Sequence, residues 1–283
     1  MKVDNREKIV VDKAVEAVVF FDLFDFPLSL WEIYSEIGCQ HSFRDLRLWL
    51  NQDKRLEEKN GFFFLPGRSE ILSIRQQRHN YARRKYKIAL RFARLFSLFP
   101  WVKSVALANV MGYNNLRDGS DIDFFIITSA GRLWLSRLYC TGLAKLLGRR
   151  PTATNKRDRL CLSFYLSREN MDIRYLSLAG NDPYFNRWHR HLILLYNKDD
   201  TFNQFLEAND KQSVGVFTPP IVSLDIWERM AKIWQLKIMP SELKAAALKS
   251  DGVVINDSVL KFYQRDRRRE FAYKYEEKIK IIV

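Results

Sequence analysis

Cysteine, glycine and proline are all scarce in this chain of 283 residues, which has 3, 11 and 8 of them. The cysteines, Cys39, Cys140 and Cys161, lie far apart without CxxC spacing, which excludes a disulfide framework and a thiolate zinc site. So little Gly and Pro excludes a collagen-like or low-complexity chain. Long apolar runs are missing too: the longest near the N-terminus, AVEAVVFFDLFDFPL, is interrupted by Asp22 and Asp25 and is too short for a bilayer span. The opening MKVDNREKIVVDK has neither the apolar centre nor the small-residue cleavage site of a signal peptide. A reducing cytoplasm is the expected setting, with no membrane among the partners.

Acidic side chains are in deficit: 33 Asp and Glu stand against 47 Lys and Arg, a formal charge of +14. That balance by itself points to nucleic acid, nucleotides or an anionic membrane surface; the plain alternative is a solvated cationic surface. What is plentiful is apolar content, 47% of residues, enough for a real core, and the length fits roughly two domains.

Along the chain, residues 11–25 read as a helix with Ala14, Val18, Phe21 and Phe24 on helical spacing, stopped by Pro27. Ser29 with Glu32, and Ser42 with Asp45, read as N-terminal caps of two further helices, the first ended by Gly38. Asn60-Gly61 in RLEEKNGFFFLPGR then marks a β-hairpin, because a type I′ turn needs positive φ at both central residues. Three helices followed by a hairpin is the order of a winged helix, with Arg44 and Arg47 on its third helix. Residues 69–98 read as a long basic helix, either tracking a phosphate backbone or bridging two domains as a solvated rod.

From residue 102 the texture becomes alternating strands and helices: VKSVALA, SDIDFFIIT and LCLSFYLS as strands, GRLWLSRLYCTGLAKLLG as an amphipathic helix, and DPYFNRWHRHLILLYN as a helix passing into a strand. Strand alternation puts Asp121 and Asp123 on one face, where two repelling carboxylates are either solvated or held together by a cation. Hard oxygen ligands of this kind suit Mg²⁺, whose shell is completed by water and substrate phosphates. The same alternation places Leu160, Leu162 and Phe164 on one face of the third strand and Cys161, Ser163 and Tyr165 on the other. His189 and His191, two apart on a helix, face different ways and do not make a metal pair.

With Ser120, Asp121, Ile122 and Asp123 opening a strand after a polar loop, the chain resembles the nucleotidyltransferase superfamily that shares the polymerase-β catalytic fold. It is similar, more narrowly, to prokaryotic chains that place a winged helix before such a domain; FFDLFDFPLS, FFFLPGR and GRLWLSRL look like segments of these. The resemblance implies an α+β architecture: a winged helix over 1–68, a connecting helix over 69–98, a mixed nucleotidyltransferase-like sheet with flanking helices over 99–205, and a helical tail over 206–283. It implies transfer of a nucleoside monophosphate from an NTP, ATP foremost, to a hydroxyl on a nucleic-acid or protein acceptor. Asp121 and Asp123 would be the catalytic metal ligands for Mg²⁺, and Asn109, Val110 and Ser120 the nucleotide-binding positions. The sequence departs from the pattern where the family carries a Gly-Ser pair, here Asn109 and Val110. It departs again on the third strand, which holds no acid; Asp158, Glu169 and Asp172 flank it, and the third carboxylate is unknown. A catalytically degenerate member, acting as a nucleic-acid or partner-binding module, is the competing expectation.

Overall fold

The two Ser-x-x-acid signatures of the N-terminal region are realised as helix caps in the computed structural model, which describes residues 5–108, 114–152, 154–210 and 225–283. Ser29 accepts from the Glu32 amide while the Glu32 carboxylate accepts from the Ser29 amide, so two otherwise orphaned donors are satisfied reciprocally. Ser42 caps the next helix through the Asp45 amide. The chain is mixed α+β and divides into two compact units, residues 1–80, 111–115 and 268–283, and residues 81–110 and 116–267.

The first unit runs α1 (Asn5–Asp22), β1 (Leu28–Ser29), α2 (Leu30–Glu36), α3 (Phe43–Gln52), β2 (Glu57–Lys59) and β3 (Phe62–Phe64), followed by the start of α4 (Ile71–Ser97). Helix α1 begins earlier than its apolar periodicity and ends at Asp22, with Asp25 at φ 52° in the turn before Pro27. The strands form an antiparallel sheet in the order β1-β3-β2, and Asn60 and Gly61 turn the β2–β3 hairpin at φ 56° and 79°. The C-terminal helix α10 (Arg268–Ile282) belongs to this unit: Tyr275 meets Phe20 edge-on, and Lys278 joins Arg68 on the buried carboxylate of Asp22.

The second unit is built on a mixed six-stranded sheet in the order β7-β4-β5-β6-β9-β8. Its elements after α4 are β4 (Val102–Leu107), β5 (Ile122–Thr128), α5 (Leu133–Leu146), β6 (Leu160–Ser167), α6 (Phe185–Trp188), β7 (Ile193–Asn197), α7 (Thr201–Asn209), α8 (Ile226–Ile238), α9 (Ser241–Ala246), β8 (Val253–Ile255) and β9 (Val259–Phe262). Strands β5 and β6 are parallel and α5 supplies the crossover they require; β4–β5, β4–β7, β6–β9 and β8–β9 are antiparallel. Ile122, Phe124 and Ile126 of β5 pack with Phe92 and Phe96 of α4 and with Trp134 and Cys140 of α5.

Two details depart from the sequence reading. The region expected to be a helical tail contributes β8 and β9 to the sheet. Between them Asn256 Oδ1 accepts from the amides of Ser258 (2.9 Å) and Val259 (2.6 Å), folding INDSV into a side-chain-closed turn instead of a helix start. On β6 the regular alternation breaks. Asp123 pairs with Cys161 but Phe125 pairs with Phe164, so β6 carries one extra residue there, a bulge. Phe164 therefore leaves the Leu160–Leu162 face and stacks on Trp188 at 5.4 Å, while Tyr165 joins Leu160 and Leu162 in the core against α5. Among the described residues no helix is long and apolar enough to cross a membrane.

Candidate functional site

Asp123 sits one residue inside β5 and Asp121 just before it, so the strand presents both carboxylates on the same side, as alternation requires. In the parallel register Asp123 lies beside Cys161 of β6. Ligand atoms of Asp121, Asp123 and Cys161 all come within 4.8 Å of one another, and all three residues are partly buried. The place beside the aspartates is thus filled by a thiol. Cys161 hydrogen-bonds Asp123 and donates to Ser163 Oγ at 3.4 Å. Burial, and then the neighbouring Asp123 carboxylate, push this thiol far above its ordinary range, so it is an uncharged S–H at neutral pH.

A fourth group closes the cluster from an unexpected direction. Tyr263, directly after β9, hydrogen-bonds Ser163; burial, then the neighbouring Asp123 carboxylate, push its phenol well up. Its backbone is held by an amide donated to the Gly252 carbonyl at 2.9 Å. Gly252 is required for this approach, because a Cβ there would lie 2.1 Å from the Tyr263 carbonyl oxygen. Tyr263 lies 140 residues beyond Asp123 in a stretch that reads as a charged helix, and no sequence signal ties it to the aspartates.

The loop that delivers Asp121 is fixed by a buried lysine. Lys85 of α4 is fully buried, and its ammonium donates to the carbonyls of Asp118 (3.0 Å) and Ser120 (2.5 Å) and to Asp158 Oδ1 (2.9 Å). Arg84 reinforces the tie with 2.6 Å to Asp118 and 3.0 Å to Asp158. The Asp158 amide also donates to the Ser120 carbonyl at 3.2 Å, and the Ile122 amide to the Arg159 carbonyl at 2.8 Å. The two loops that start β5 and β6 are therefore one hydrogen-bonded body. Burial alone would raise the Asp158 pKa, but the hydrogen bonds and charges of Lys85 and Arg84 outweigh it and hold the carboxyl below its ordinary value.

These contacts dispose of the flanking acids. Asp158 is committed to Lys85 and Arg84, Asp172 to Arg174 at 2.7 Å, and Glu169 accepts from Ser167. None of them lies in the cluster with Asp121 and Asp123. Ser120 uses its hydroxyl to donate to the Arg117 carbonyl at 3.0 Å. Asn109 and Val110 lie outside the described residues; just after β4, Ala108 donates its amide to the Asp123 carbonyl and accepts at its carbonyl from the Trp188 indole, 2.9 and 2.8 Å. His189 is buried with its ring beside the Phe185 carbonyl, and among the described residues it belongs to no metal-ligating group.

The donor set is mixed: two carboxylates offer hard oxygens, and a protonated thiol beside them is a poor ligand for a hard cation. The basic side chains of the second unit surround this chemistry unevenly. Arg84 and Lys85 are consumed by the loop, whereas Arg83, Lys87, Arg91 and Arg94 stay exposed on one face of α4. Against protein-family models, curated proteins and solved structures, nothing matches the chain.

Proposed function

We propose that the second unit is a nucleotidyltransferase-like domain that binds a Mg²⁺–nucleoside triphosphate through Asp121 and Asp123, and that the first unit is a winged helix. The observation that carries the reading is the convergence of those two carboxylates at the start of a strand, on a loop clamped from behind by Lys85. The order β4–β5–α5–β6 in a mixed sheet supports the polymerase-β-like architecture. The order α1-β1-α2-α3-β2-β3, with its three-stranded antiparallel sheet, supports the winged helix.

Asp121 and Asp123 would hold the cation, which when bound supplies neutralisation of phosphate charge. In a transfer, the acceptor oxygen bonds to the α-phosphorus, the bond to pyrophosphate breaks, and the hydroxyl proton must leave. The chain's own task is positioning: Lys85 and Arg84 keep the Asp121 loop in place, and Asp118 and Asp158 keep those cations from competing for the nucleotide. An uncharged Cys161 offers no base for the hydroxyl proton.

That thiol favours a second reading, a catalytically degenerate member that binds nucleotide or nucleic acid without transfer. Incubation with Mg²⁺, α-labelled NTPs and pooled RNA, DNA and protein acceptors separates the two. Label transfer that disappears in Asp121→Asn/Asp123→Asn establishes the enzyme. Nucleotide binding without transfer to any acceptor establishes the degenerate member.

A further inference from the structure

Helix α8 carries an apolar stripe on the side turned away from the core. Its inner face carries Ala231 against the core, with Glu228 and Gln235 buried as hydrogen-bonding clamps on α5: Glu228 accepts from the Trp134 and Leu135 amides, and Gln235 bonds the Trp134 carbonyl and Arg137. Its outer face is Ile226, Trp227, Met230, Ile233, Trp234 and Ile238, each between 51% and 66% exposed. A contiguous apolar stripe on a helix is ordinarily turned toward another packed element. These six side chains present on the order of 800 Å² of apolar surface, more than the largest patch of a typical monomer and comparable to what one partner contributes to a standard interface.

We propose that this face is the interface of a homodimer in which α8 packs antiparallel on α8 of a second copy. The spacing of the stripe is self-complementary. With a two-fold axis at the level of Lys232, Ile226 falls opposite Ile238 of the partner subunit and Met230 opposite Trp234 of the partner subunit. The one ionic side chain within the stripe is Lys237, which is exposed. In this register it meets Trp227 of the partner subunit, an indole face that suits an ammonium; a parallel pairing would set lysine against lysine. A lipid surface is a poorer match, because an interfacial helix sets a cationic polar face against its apolar one, and here the opposite face is core.

Sedimentation equilibrium of the full chain, at micromolar concentrations and moderate salt, tests this. The expected mass is twice 33.6 kDa. Met230→Glu and Ile233→Glu, both at exposed positions, are expected to weaken the dimer roughly 100-fold or more while leaving the circular dichroism spectrum unchanged. An equal mixture of Ile226→Cys and Ile238→Cys chains should give a disulfide-linked dimer under mild oxidation that neither variant gives alone. A wild-type monomer overturns the proposal, whether it stays free or sediments with anionic phosphatidylserine vesicles. So does a dimer that both glutamate variants leave intact.

Discussion

Lys85 is the residue on which the candidate site turns. An ammonium with no exposed surface is tolerable only because three oxygens receive its protons, and two of those belong to the backbone of the loop before Asp121. Lys85→Met leaves Asp158 half-satisfied and the loop untied. It is expected to lower stability by about 3 kcal/mol in denaturant titration and to weaken Mg²⁺–ATP binding beyond what stability alone accounts for. The pH dependence has a definite sign. A carboxylate whose folded pKa is depressed stabilises the fold fully above its ordinary value, 3.8 for Asp158, and loses that contribution as pH falls through the folded value. Melting temperature is therefore expected to fall more steeply below pH 4 for the wild type than for Asp158→Asn. Cys161 yields the complementary test. Cys161→Asp places a third carboxylate beside the pair, and calorimetry should show Mg²⁺ bound about tenfold more tightly if the thiol stands in a ligand position.

At the scale of elements, the legible features were those with local causes. The capping serines, the Asn60-Gly61 turn and the β4, β5 and α5 segments follow from side-chain spacing and turn stereochemistry within a dozen residues. The Asp121/Asp123 pair was equally legible, since one strand carries both. The features not legible were set by distant partners. The β6 bulge lies in its register with β5, and it decides that Phe164 and Tyr165 exchange sides. Strands β8 and β9 are short apolar runs inside a charged stretch, placed by the pairing of β9 with β6 and of β8 with β9. Tyr263 reaches the site through that pairing and through Gly252. The α5 N-terminus illustrates the same point. Arg132 precedes it without a side-chain cap, and its first-turn amides are met instead by Glu228, 94 residues away from Trp134. Glu228→Ala leaves two buried donors unsatisfied, and urea titration should show a loss of about 2 kcal/mol, with Glu228→Gln losing less.

For the molecule as a whole, the net charge is not shared between the units. The first unit holds 17 Lys and Arg against 16 Asp and Glu, and the second 30 against 17. The excess of positive charge thus belongs to the unit with the carboxylate pair, and the arginines of α3 belong to a nearly neutral one. If nucleic acid is a ligand, replacing Arg83, Lys87, Arg91 and Arg94 with Ala should reduce the salt slope of binding, by up to about four counterions in a fluorescence titration. Arg44→Ala/Arg47→Ala should change it little. The central claim, that two side chains at the mouth of β5 hold a cation carrying a polyphosphate, is tested most directly by titrating Mg²⁺–ATP into the full chain in a calorimeter. Saturable heat that requires Mg²⁺ and vanishes in Asp121→Asn/Asp123→Asn is the predicted result; undiminished heat in that double variant would contradict it.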